Sequence, residues 1–359
     1  MTQRTLIVLS ILALTFTCAY AQNSEALPQY QPEQKLAGVI RIFGSELAGM
    51  VKVWEEGFRK YQPEVRFEDK FPSSDAATAG LVSGVADIGT TGREPVLTEF
   101  LAFNETFKYD LVNVAVATGA QDFIGRTWAP VIFVNKDNPL TRLTMKQLDG
   151  IFGAARTGGY DGYRWMPQFA RPVTDDIRTW GQLGLTGEWK DKPINTYGYA
   201  NTGMAKFFEL KVFNGGEKWN PNYREYVESG TRMVSAGEIG ETGGSKSMLA
   251  ELSKDKYGIG WSGIAHAKSY PQLRPLALAA NEGGPYVLPT RENVQNRTYP
   301  LTRSIFMYIK HPPGQPVEPK VREFLHYILS RDGQEDVARQ NVYLPLTAEA
   351  VREQLKKVE

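Results

Sequence analysis

The chain has 359 residues, with 41 Lys+Arg against 40 Asp+Glu and a formal net charge of +1. That balance gives no electrostatic footprint for nucleic acid, and no basic block with interleaved aromatics occurs. Its one cysteine, Cys18, excludes an internal disulfide and a thiolate metal cluster, and its three histidines fall at no metal-ligand spacing.

The start reads Met1-Thr2-Gln3-Arg4, then an apolar run from Leu6 to Thr17, then Ala19-Tyr20-Ala21. A basic start, a short apolar core and an A-x-A end predict a secretory signal peptide cleaved after Ala21. The run is shorter than the roughly 20 residues that a spanning helix needs. Thr15-Phe16-Thr17 is a poor context for lipid anchoring at Cys18, so a soluble periplasmic or secreted protein is expected. Cleavage removes Arg4 and leaves 40 basic residues against 40 acidic ones, with no thiol. The remaining length suits two core-forming units.

Residues 22–35 are polar and Pro-containing and predict a disordered leader. Val39–Phe43 is a strand candidate ending in Gly44-Ser45. Leu47, Met50, Val51, Trp54 and Phe58 recur at helical spacing, with Ser45 in the N-cap position and Glu46 in the first turn. Val65–Glu68 alternates like a strand and leads into Phe71–Glu94. That stretch holds Ser73-Ser74, a short Ala/Leu/Val helix, the buried Ala86-Asp87-Ile88-Gly89 and the polar loop Thr90-Thr91-Gly92-Arg93. Strand and helix alternate, with hydroxyl residues at the turns, which argues for an α/β fold with a parallel sheet. Ligands of such sheets bind beyond the C-terminal strand ends. Helix N-termini there present free N–H groups and partial positive charge to an anion.

Leu111–Ala117 and Ala129–Val134 are further strand candidates, while residues 153–193 show no clear period and read as long surface loops. Asn201-Thr202-Gly203 opens a helix carrying Phe207, Phe208 and Val212, and a short helix follows with Met248, Leu249 and Leu252. Gly258-Ile259-Gly260-Trp261-Ser262-Gly263 matches the dinucleotide fingerprint, but it opens no helix and lacks a placed ribose-binding acid. Ser304–Lys310 reads as a strand and Val321–Leu329 as a helix that carries His326. No P-loop, nucleophile elbow or singled-out carboxylate pair is present, so no catalytic residue and no cofactor is expected.

Several pieces fit one family in order. They are Gly44-Ser45 before a Trp-bearing helix, Ser73-Ser74 before a helix, Ala86-Asp87-Ile88-Gly89 with Arg93, and Thr202-Gly203 before Phe207-Phe208. Gly258-Ile259-Gly260, Tyr299-Pro300-Leu301-Thr302-Arg303 and the run from Gly333-Gln334 to Leu344-Pro345-Leu346 complete the set. The chain resembles the periplasmic phosphate-binding proteins of ABC-type phosphate importers over nearly all of its mature length. The resemblance implies a two-lobed type II periplasmic binding fold, each lobe a mainly parallel sheet flanked by helices, with two crossover segments as hinge. It puts lobe 1 at residues 36–116 and 299–359 and lobe 2 at 117–298. It also implies a monomer that closes on inorganic phosphate or a related oxyanion and delivers it to an inner-membrane ABC permease.

By residue-for-residue match the resemblance places Ser45 and Ser73 at hydroxyl ligands and Thr202-Gly203 in the family's Ser-Gly-Thr loop. Glu46, Ser74, Thr91, Gly92, Arg93 and Asn201 join them as ligand-binding candidates. The chain departs from the pattern at several of these positions. The Arg that usually precedes the Ser-Gly-Thr loop is missing from Tyr197–Asn201, and Met204 has no hydroxyl. Gly92 stands where the family has a Ser or Asp facing phosphate, and Asp75 stands where it prefers Gly. Arg93 is the one guanidinium inside the loop motifs, as a bidentate anion clamp or as a salt bridge holding its loop. Other readings are a different small polar solute on the same fold, or a secreted sensor without a transporter.

Overall fold

The computed structural model describes residues 26–124, 127–200, 203–227 and 243–359. The expected signal peptide, 1–21, lies outside these residues. Among the described residues no helix is long and apolar enough to cross a membrane.

The elements run β1 (Gly38–Gly44), α1 (Met50–Arg59), β2 (Val65–Lys70), α2 (Ala76–Val82), β3 (Ile88–Thr91), α3 (Leu97–Phe107) and β4 (Val112–Thr118). Next come β5 (Val131–Asn135), β6 (Arg142–Thr144), α4 (Met145–Phe152), β7 (Gly159–Asp161), β8 (Arg164–Met166), β9 (Asn195–Tyr199) and α5 (Gly203–Val212). The chain continues through β10 (Tyr223–Tyr226), α6 (Gly243–Leu252), β11 (Gly258–Ser262), α7 (Ile264–Ala267), β12 (Leu273–Pro275), β13 (Ala277–Ala279) and α8 (Arg291–Gln295). It ends with β14 (Ser304–Ile309), α9 (Pro319–Ile328), α10 (Arg331–Gln340) and α11 (Ala348–Leu355).

Two five-stranded sheets organise the molecule, in the orders β2-β1-β3-β14-β4 and β10-β9-β11-β5-β12. β1 pairs in parallel with β2 and β3, and β9 pairs in parallel with β10 and β11. Each sheet also takes one antiparallel strand next to its edge strand, β14 in the first and β5 in the second. Both inserted strands arrive directly from segments that pass between the sheets, so each lobe is closed by chain coming from the other. The sheets are therefore mainly parallel with one reversed strand each.

The apolar stripe of α1 is buried as its spacing predicts, with Met50, Val51, Trp54 and Phe58 fully covered. Trp54 Nε1 donates to the Gly333 carbonyl at 3.1 Å, anchoring α1 to α10. The start of α1 corrects the expected N-cap, which is Gly49 at φ 80° rather than Ser45. Ser45 is instead paired to β3. Its N–H donates to the Thr90 carbonyl at 2.8 Å, and its own carbonyl accepts from Thr90 Oγ1 at 2.7 Å. Strand pairing thus runs beyond β1, and Leu47 (φ 54°) and Ala48 (φ 52°) make a left-handed turn before the helix. Such conformations cost non-glycine residues about 1–2 kcal/mol each. Gly44 is needed for the same pairing, since a Cβ there would meet the Thr90 carbonyl oxygen at 2.1 Å.

The expected disordered leader is also corrected from residue 26 onward. Leu27 and Tyr30 are buried in the core of the first lobe. The Tyr30 hydroxyl donates to Glu323 Oε2 at 2.6 Å, and the Pro28 carbonyl accepts from the Arg331 N–H at 2.9 Å. Two anchors in an otherwise polar segment give a hydropathy too low to signal a packed strap. Residues 153–193 hold the β7–β8 hairpin rather than loops alone. They are pinned by Arg156, whose two terminal nitrogens each lie 2.6 Å from a carboxylate oxygen of Asp149.

The chain ending is sewn down by buried Gln334, which donates to the Val116 and Ile328 carbonyls and accepts from the Leu346 N–H at 2.7 Å. Gly258–Ser262 is the central buried strand β11 of the second sheet. A Cβ on Gly258 or Gly260 would stand 2.8 Å from the Leu252 side chain, so both glycines serve packing against α6.

Candidate functional site

The C-terminal ends of β1 and β3, the start of α5 and the two passing segments meet at one seam between the lobes. Ser45 is buried there, with Oγ accepting from the Leu47 N–H at 3.4 Å. Glu46 is half-buried beside it, Ser73 is exposed and Ser74 half-buried. The loop before α2 reaches the seam through Asp75, whose Oδ1 lies 2.7 Å from Arg93 Nη2. Thr91 is fully buried in β3 opposite Phe306 of β14. Gly203 begins α5, and a Cβ there would be 3.7 Å from Arg93 Cδ. Asn201 and Thr202 lie outside the described residues.

Arg93 is ion-paired within the protein. Nη1 lies 2.6 Å from Glu99 Oε2 and Nη2 3.0 Å from Glu99 Oε1, a bidentate pair with a carboxylate of α3. Nη1 also donates to the Glu94 carbonyl at 3.1 Å. With Asp75 as second partner, both terminal nitrogens are committed within the protein. Arg93 is 5% exposed, and the hydrogen bonds and charge of Glu99 more than offset its burial, so its pKa is raised. The bidentate pair in this structure is with Glu99.

Gly92 has a steric explanation. A Cβ on it would stand 2.0 Å from Thr127 Oγ1, and Thr127 comes from the segment leading to the second lobe. Thr127 is buried at φ 62°. Its hydroxyl fills the space that a Ser or Asp side chain at position 92 would need.

Arg303 is the residue that the loop motifs missed. It is 3% exposed and stands on the return segment just before β14. Nη2 donates to the Gly92 carbonyl at 2.5 Å, while Nε and Nη1 are buried with no hydrogen-bond partner among the described residues. The guanidinium lies 5.1 Å from the Phe207 ring of α5, so it touches both lobes. No carboxylate pairs with it among the described residues. Burial, opposed by the charges of Glu94 and Tyr343 and reinforced by Arg93, pulls its pKa down to about 10, so it stays protonated at neutral pH. A buried guanidinium with two free donors at an inter-lobe seam has the geometry and charge to take an oxyanion. The signal available in sequence was Arg303 within Tyr-Pro-Leu-Thr-Arg, but nothing local showed which way its side chain points.

Fold and seam together define a type II periplasmic binding protein, two α/β lobes joined by two crossing segments. The family profile described as a PBP superfamily domain matches residues 32–332. The phosphate-binding protein PstS of Pseudomonas aeruginosa is 31% identical over 355 residues, covering 96% of this chain and 97% of that protein. The chain belongs to this PstS family of the PBP superfamily. Protein SphX of Synechococcus elongatus is 25% identical over 62% of this chain and 55% of its own length. Among solved structures, PstS from Borrelia burgdorferi matches with TM-score 0.55 and 15% identity, over 88% of this chain and all of that one. An ABC-type phosphate transport receptor from Vibrio cholerae matches with TM-score 0.51 and 20% identity, over 85% and 99%. These two share the fold.

Proposed function

We propose that the protein is an exported carrier that captures inorganic phosphate at the seam between its lobes and hands it to an ABC permease. It does so as a monomer and without covalent chemistry. The carrying observation is Arg303, a protonated guanidinium buried between the lobes with two donors unpartnered. An oxyanion there supplies the counter-charge that Arg303 lacks, and the relatives named as phosphate-binding proteins support phosphate as that anion. Ser45, Ser73, the start of α5 and Thr127 are the hydroxyl and N–H donors that this reading assigns to the same anion. This reading assigns half-buried Glu46 to accept the proton of a monohydrogen phosphate, a preference that sulfate cannot satisfy.

Isothermal titration with phosphate, arsenate and sulfate tests the reading. Phosphate and arsenate should bind, with sulfate rejected. Arg303→Ala should weaken phosphate binding at least a hundredfold, about 3 kcal/mol, typical of a buried charged partner. No heat with any oxyanion would overturn the anion assignment and leave a different polar solute on the same fold.

A further inference from the structure

A second cluster of cations borders a separate cavity of about 290 Å³ on the return segment. Arg297, Ser304 and Thr302 come from that segment and the start of β14, Lys357 from the chain end, and Lys211 and Glu94 from opposite lobes. Lys211 and Glu94 pair across the lobes, with Nζ 2.9 Å from Oε1, while Glu94 Oε2 is buried with no hydrogen-bond partner among the described residues and can accept the proton of a protonated oxyanion. Arg297 and Lys357 have no such partner: no carboxylate among the described residues forms an ion pair with either. Arg297 donates to Ser304 Oγ, and Lys357 Nζ donates to the Asn113 carbonyl at 2.8 Å. Thr302 Oγ1 is buried with no hydrogen-bond partner.

This arrangement is unfavourable as it stands. Burial depresses the basicity of both Arg297 and Lys357, the charge of Glu94 offsets this in part at Arg297, and the charge of Arg297 depresses Lys357 further. Two like charges facing one cavity, both partly desolvated, are each stabilised by an anion between them. Ser304 already accepts from Arg297, so its own O–H is free to donate in the same direction. A tetrahedral oxyanion fits the volume, the donors and the excess of Lys211, Arg297 and Lys357 over Glu94.

We propose that this cavity is a second oxyanion site, of the phosphate or sulfate class, held by Arg297, Lys357, Ser304 and Thr302. It lies beside the seam, and Arg303 is not among the residues that line it. Because Lys211 reaches the rim from α5 of the other lobe, the cavity is complete only when α5 stands on Glu94. Occupancy therefore favours that lobe arrangement, and by reciprocity that arrangement favours occupancy.

Equilibrium dialysis of the full chain against labelled inorganic phosphate counts the sites. Two saturable equivalents are expected, falling to one in Arg297→Ala/Lys357→Ala. Lys357→Gln, which keeps most of the side-chain packing, should weaken the second equivalent at least tenfold without lowering the unfolding midpoint. One equivalent in the parent, kept in the double variant, overturns the second site and leaves the seam reading intact. One equivalent that vanishes in the double variant supports the cavity and overturns the seam. No bound phosphate in either protein overturns both.

Discussion

Thr127 Oγ1 stands 2.0 Å from where a Cβ on Gly92 would be, so position 92 stays a glycine because a residue from the outgoing segment already occupies its space. This contact joins the β3 loop to the segment that starts the second lobe. Gly92→Ser should therefore destabilise the fold by about 1–3 kcal/mol, the usual cost of overpacking a filled site. Adding Thr127→Ala should recover most of that loss. A double-mutant cycle on urea unfolding checks it, and additive losses would show that the two side chains do not compete.

Arg93 and Glu99 form a buried bidentate pair, and removing either partner leaves a desolvated charge. Arg93→Ala is expected to cost about 3–5 kcal/mol in unfolding free energy. Arg93→Lys should also lose stability, since an ammonium cannot bridge both Glu99 oxygens. Phosphate affinity of folded Arg93→Ala should fall far less than that of Arg303→Ala. Equal losses in titration would return Arg93 to the ligand.

Glu55 supplies a pH dependence of known sign. Burial, reinforced by neighbouring Asp69, lifts its carboxyl from 4.5 to about 7, against the lowering effect of Lys52. Between these values the folded protein holds a proton that the unfolded chain has released. The contribution is thus fully present below about pH 4.5, is lost as pH rises towards 7, and is flat above. Comparing urea unfolding at pH 5 and pH 7.5 for the parent and Glu55→Gln isolates it. The parent should lose more stability than the variant on going to pH 7.5, and identical changes would refute the assignment.

Tyr30 carries the strap that crosses α9. Its ring packs edge-on against Tyr61 and Tyr327, with centroids 5.2 and 5.4 Å away, and its hydroxyl bonds Glu323, a fully buried acid. Tyr30→Phe leaves that carboxylate oxygen without its donor and should cost about 1–3 kcal/mol. Starting the chain at Leu36 should lower the melting temperature by more than Tyr30→Phe does. An unchanged melting temperature on truncation would mean that the strap adds nothing to stability.

Much of the α/β organisation was legible from local pattern. Met50, Val51, Trp54 and Phe58 announced α1 by their spacing, because a helix that packs on a sheet must present one apolar stripe. The glycines of Gly258–Gly263 could be set aside as a nucleotide loop because no ribose-binding acid is placed for them, although the expectation that no helix follows fails: the one-turn α7 starts at Ile264. Ser45 misled as an N-cap, since its pairing with Thr90 is a contact between residues distant in sequence. The leader misled because two buried side chains decide its fate and the polar residues around them dominate its composition.

By itself the sequence determined the class of protein: alternating strands and helices, hydroxyl-bearing turns at the strand ends, and a set of short motifs in family order. Tertiary structure alone decided the electrostatic roles. Arg93 and Arg303 are both arginines next to the same β3 loop, yet one pairs with Glu99 and the other pairs with no carboxylate among the described residues. Whether a guanidinium is satisfied by the protein or left for a ligand depends on which carboxylates the fold brings within about 4 Å. That is fixed by packing between segments distant in sequence.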